Sequence, residues 1–120
     1  MLTIRTAQLP PFGLNIRNEF IEILSRYVRQ RWPHVAGAEG SFDVVREFVS
    51  TSVDRGIAWG FRDRGHLTTW VDWEAEFGPA FYLAESWTWC HDLLQSGPDP
   101  AVRLHRISNR LVLLRERGEQ

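Results

Sequence analysis

The sequence contains no lysine: all 14 of its basic residues are arginine. Set against 15 acidic residues they leave a formal charge of −1. That balance lacks the basic excess by which proteins neutralise a phosphate backbone, so no nucleic-acid partner is expected. Cysteine is almost as scarce. The lone Cys90 cannot close an internal disulfide, which excludes a stapled extracellular mini-domain and sets the expectation of a reducing, cytoplasmic compartment. Long apolar runs are missing too. Arginines, aspartates and glutamates interrupt every stretch before it reaches the roughly 18–20 residues of a membrane span, and the first eleven residues lack the charged lead and apolar segment of an export signal. There is no glycine-rich phosphate loop and no Gly-x-Ser-x-Gly elbow. His34, His66, His91 and His105 form no pair at the three- or four-residue spacing that places two ligands on one helical face. Neither a metal nor a cofactor is expected.

What remains is rich in apolar and aromatic material. The chain has 120 residues, 43% of them hydrophobic and six of them tryptophan, enough for the core of one domain. The pattern predicts an all-α, single-domain bundle of about five helices with an extended N-terminal arm. Pro10, Pro11 and Gly13 keep residues 1–14 out of a helix, with Ile4, Leu9 and Phe12 available to tack the arm down. A first helix is expected over 15–32, started by Asn15 and stopped before Pro33, with Ile16, Phe20, Ile23, Leu24, Tyr27 and Val28 on its apolar face. Ser41 caps a second helix that ends near Gly56 and buries Phe42, Val45, Val49, Val53 and Ile57. A third is expected over 64–77, with Leu67, Trp70, Val71 and Phe77 inward and Gly78-Pro79 as its stop. A fourth over 80–95 places Leu83, Trp87, Cys90 and Leu94 on one stripe. Asp99 and Pro100 open a fifth, whose buried seam is Leu104, Ile107, Leu111 and Leu114, before a frayed tail over 116–120.

Three groups could carry function. Cys90-His91-Asp92 has the residue types of a nucleophile triad, but neighbours on a helix diverge by about 100°, so the three cannot line up and Cys90 reads as a buried thiol. Asp72, Glu74 and Glu76 form a carboxylate cluster beside Trp70 and Trp73, read as a solvated helix face and, in an enzyme, as an acid and base pair. Trp73 and Trp89 fall off the apolar seams that hold Trp70 and Trp87, which makes them candidates for a partner contact as well as for packing on a neighbouring element. Two arginine groups join them: Arg103, Arg106 and Arg110 along the fifth helix, and Arg26, Arg29 and Arg31 closing the first. These read as solvated faces, then as seats for an acidic protein partner, and last as nucleic-acid contacts.

Several spaced elements resemble one family. They are Asp54-Arg-Gly-Ile-Ala-Trp-Gly-Phe61, the segment from Leu67 to Phe77, Phe77-Gly-Pro-Ala-Phe81 and Trp87-Thr-Trp-Cys-His-Asp-Leu-Leu94, together with the Tyr27-Val-Arg-Gln-Arg-Trp-Pro33 close of the first helix. They are similar to those of small helical proteins encoded in proteobacterial gene clusters for type VI secretion spike proteins and their toxic effectors. Trp59-Gly60 resembles that family's tyrosine-glycine turn, and Gly78-Pro79 with Phe81 its glycine-x-x-phenylalanine corner. The likeness departs at Tyr82, where the family has aspartate, and at Pro10-Pro11, where its first helix has already begun. It implies a non-catalytic accessory protein, an adaptor or chaperone that binds an effector or spike component encoded nearby. An immunity protein that neutralises a toxin is the alternative within the same resemblance, and a small enzyme built on the carboxylate cluster is the alternative of another class.

Overall fold

The computed structural model describes residues 14–37 and 40–117, and the side chains from Ile16 onward. The expected arm lies almost wholly outside the described residues, as do 118–120 of the expected tail. Within them the chain is all-helical, with five α-helices and no strand: α1 (Leu14–Arg31), α2 (Phe42–Ala58), α3 (Arg64–Phe77), α4 (Thr88–Leu94) and α5 (Pro100–Glu116).

Packing narrows the apolar face of α1 relative to the sequence pattern. Phe20, Ile21, Leu24 and Val28 are buried together with Ser25, whereas Ile16, Ile23 and Tyr27 remain exposed. Ser25 enters the core at no cost in unpaired groups, because its Oγ donates to the Ile21 carbonyl at 2.6 Å. Helix α2 runs two residues past the expected end near Gly56 because that glycine is inside a helix–helix contact. A Cβ there would lie 2.9 Å from both Leu67 Cδ2 and Trp70 Cδ1. Its inner face is otherwise the expected valine stripe of Val45, Val49 and Val53.

Helix α3 has the expected bounds and the deepest position. Its start is fixed by Asp63, whose carboxylate accepts from the backbone N–H groups of Gly65 and His66. Leu67, Trp70, Val71, Trp73, Glu74 and Ala75 are all buried, so more than one face of this helix is covered. Trp70 has no exposed surface, and its indole N–H donates to the Ser52 carbonyl at 3.1 Å.

The expected helix over 80–95 is the main correction. Only Thr88–Leu94 is α-helical, preceded by two 3₁₀ turns over Phe81–Leu83 and Glu85–Trp87. Ala80 takes a left-handed conformation at φ 53° and Ala84 an extended one, so the run of helical dihedrals is broken twice. The broken path turns Phe81 and Tyr82 inward and leaves Leu83 68% exposed instead of on the buried stripe. Helix α5 starts as expected, with Asp99 accepting from the Ala101 N–H and Pro100 in the first turn, and it buries Leu104, Ile107 and Leu111. No described helix is long and apolar enough to cross a membrane.

Candidate functional site

The three carboxylates of α3 are bound to three different parts of the molecule. Asp72 accepts from the Tyr27 hydroxyl at 2.8 Å and from the Trp32 indole N–H at 2.6 Å, tying α3 to the end of α1. Glu76 accepts from Arg115 Nη2 at 2.6 Å, tying it to α5. Glu74 lies between them in sequence but has no exposed surface, which overturns the reading of this group as a solvated face. Arg55 clamps it in a fork, Nη2 to Oε1 at 2.6 Å and Nε to Oε2 at 2.9 Å, and the Ala80 N–H approaches Oε2 at 3.4 Å. The hydrogen bonds that Arg55 donates to Glu74 raise the pKa of Arg55 despite its partial desolvation. Glu74 and Glu76 border a cleft of about 410 Å³, lined also by His34, Val35, Phe48 and Phe77, while Asp72 does not. Two-residue spacing turns Glu74 about 200° from Asp72 and from Glu76, and although Asp72 and Glu76 share a helical face, each is held by a different partner.

The Cys90-His91-Asp92 run stays unassembled. Cys90 is fully buried, and burial pushes its thiol up to about 12. The His91 ring packs edge-on against Trp59 and Tyr82, and Asp92 is exposed. Among the described residues no three His, Cys, Asp or Glu side chains meet as a metal-ligand set.

The tryptophan and arginine groups divide differently from the sequence reading. Trp73, open in the sequence between a partner contact and packing on a neighbouring element, takes the second course: it belongs to the core at 5% exposure, because α3 is covered on the flank that the apolar seam leaves out. Arg103 is also buried, at 7% exposure: its guanidinium lies over Phe61 and Nη1 donates to the Leu94 carbonyl at 2.7 Å, closing the end of α4. Gly60, at φ +99°, makes room for it, since a Cβ there would sit 3.0 Å from Arg103 Nη2. Arg103 is therefore part of the interior and not of an exposed stripe.

Trp89, Arg106 and Arg110 do reach the surface. Phe77, Trp87 and Trp89 stack in series with centroid separations of 4.6 and 5.6 Å, and all three are half-buried. Two arginines of α5 cover this ladder, Arg115 over Phe77 at 5.7 Å and Arg110 over Trp89 at 5.0 Å. Arg115 is also paired with Glu76, whereas Arg106 and Arg110 take part in none of the ion pairs among the described residues. At the C-terminal end of α1, Arg29 stacks on Phe42 at 5.6 Å and Arg31 on Trp32 at 4.2 Å, both exposed and without an ion pair among the described residues. Phe77 and Arg115 escaped the sequence reading because their contact spans nearly forty residues. Periodicity within either helix carries no trace of it.

Comparison with protein-family models, with curated protein sequences and with solved structures finds no match for this chain.

Proposed function

We propose that this chain is a non-catalytic accessory protein that binds another protein, serving as an adaptor or chaperone for a type VI secretion effector or spike component. The observation that carries the binding part is the Arg110–Trp89 pair, a cation stacked on a half-buried aromatic with no carboxylate among the described residues attached to it. Arginine and tryptophan are enriched among the side chains that dominate protein interfaces: tryptophan covers a large area with two torsions to freeze, and arginine presents a planar guanidinium that stacks and donates hydrogen bonds at once. The α3 carboxylates support the same reading: each is held by an internal partner, which leaves none of them poised beside another as acid and base. The type VI part is supported by the resemblance described above, whose turn glycines Gly60 and Gly78 both occupy positive φ.

Co-expression of the tagged chain with the products of its neighbouring genes tests this. Recovery of an effector or spike protein in stoichiometric complex is expected; recovery of none of them overturns the proposal. A deletion separates adaptor from immunity protein. Loss of an adaptor silences delivery of the effector, while loss of an immunity protein kills the cell that carries the active toxin.

A further inference from the structure

The outer face of α5 is amphipathic in an unusual sense, with apolar and cationic side chains interleaved. Val102 and Leu113 are 40% and 50% exposed, and with Arg106 between them they follow the four- and seven-residue steps that keep side chains on one helical face. Arg110 stands at the border of that face, over Trp89. The helix carries four arginines against one glutamate in a chain whose net charge is −1, so positive charge is concentrated here while the rest of the molecule is net acidic. Helix α5 packs chiefly on α4, and nothing among the described residues covers its outer side.

From this juxtaposition we propose that α5, through Val102, Arg106, Arg110, Leu113 and Trp89, is a docking face for an acidic amphipathic segment of a partner protein. The occupant is argued from charge. Two unpaired arginines flanked by exposed aliphatics call for carboxylates interleaved with apolar side chains. A phosphate backbone would leave Val102 and Leu113 without a partner. A second copy of the chain would bring Arg106 and Arg110 against their own like charges, a repulsion that opposes self-association. The inference rests on the protein-binding reading above and adds to it the surface and the chemistry of the partner.

The test uses the full-length chain labelled with nitrogen-15 and three probes: a blocked 20-residue Leu/Glu amphipathic peptide, its Leu/Lys counterpart, and an oligothymidylate of similar length. The Leu/Glu peptide is expected to shift backbone amides of α5 and the indole N–H of Trp89. The Arg106→Glu/Arg110→Glu variant should bind it about tenfold more weakly, because charge reversal replaces two attractions by two repulsions. Arg106→Glu alone, at an exposed position, keeps the comparison valid if the double variant unfolds, and should weaken binding by about threefold. Shifts confined to the exposed Ile16, Ile23 and Tyr27 side of α1 would overturn the proposal. So would equal binding of the Leu/Lys peptide, displacement of the acidic peptide by the oligothymidylate, or a dimer seen by light scattering without any peptide. These probes are not products of neighbouring genes, so failure here leaves the co-expression result standing, and failure there leaves this one.

Discussion

Arg55 and Glu74 join α2 to α3 through a guanidinium fork hydrogen-bonded to both oxygens of a carboxylate that has no contact with solvent. A charge so placed is tolerated only because the guanidinium fork faces it, with the Ala80 N–H close by. Glu74→Ala should therefore cost about 3 kcal/mol, the low end for breaking a buried pair, since Arg55 keeps some access to water. The double variant Arg55→Met/Glu74→Leu should recover most of that loss. Urea unfolding of the parent, Arg55→Met, Glu74→Leu and the double variant forms the cycle, and a Glu74→Ala protein as stable as the parent would show that the pair does not hold α2 to α3.

Gly56 gives α2 and α3 their close approach. The added methyl of Gly56→Ala would meet Leu67 and Trp70 at 2.9 Å. Overpacking costs of about 1–3 kcal/mol outweigh the roughly 1 kcal/mol that alanine contributes inside a helix, so a net loss of stability is expected. A variant with a raised melting temperature would show that Trp70 has room to move.

Cys90 should behave as an inert thiol. Because its folded pKa is raised to about 12 from 9.0, the stabilisation from keeping it protonated is complete below pH 9 and disappears as pH rises toward 12. At pH 8 a disulfide reagent should label the native protein only as fast as it unfolds, at a rate independent of reagent concentration. Fast stoichiometric labelling would place the sulfur at the surface. Cys90→Ala should remove the thiol's part of the alkaline loss of stability.

Tyr27 should ionise above the usual tyrosine range. Partial burial raises its pKa most, followed by the hydrogen bond to Asp72 and the charge of that carboxylate, partly opposed by Arg31. Asp72→Asn removes the charge and should shift the phenolate absorbance transition to lower pH, read as the difference between the two proteins' titrations. Coincident titrations would mean that the Tyr27–Asp72 contact does not persist in solution.

Much of the architecture was legible from periodicity and punctuation. The valine stripe of α2, the bounds of α3 and the Asp99-Pro100 start of α5 depend on neighbours a few residues apart, and local chemistry specifies them. The break at Ala80 and Ala84 was not legible, because alanine favours helix and the inward packing of Phe81 and Tyr82 depends on partners elsewhere in the chain, Trp70 and Trp59. Arg103 was read as part of an exposed stripe, and Trp73 was left open between packing and a partner contact, for the same kind of reason. One apolar seam per helix is a poor guide where a helix such as α3 is covered on several sides, and a buried arginine depends on partners, Phe61 and the Leu94 carbonyl, that its own helix does not reveal. The Arg110–Trp89 pair was legible as residue types but not as a contact.

The central claim is that the molecule works by presenting α5 and Trp89 to another protein. Affinity co-purification with the products of its neighbouring genes, compared between the parent, Arg106→Glu/Arg110→Glu and Arg29→Glu/Arg31→Glu, tests that claim most directly. The account predicts that the α5 variant loses the partner while remaining folded by circular dichroism, and that the α1 variant retains it. Retention by the α5 variant, with loss only in the α1 variant, would contradict it.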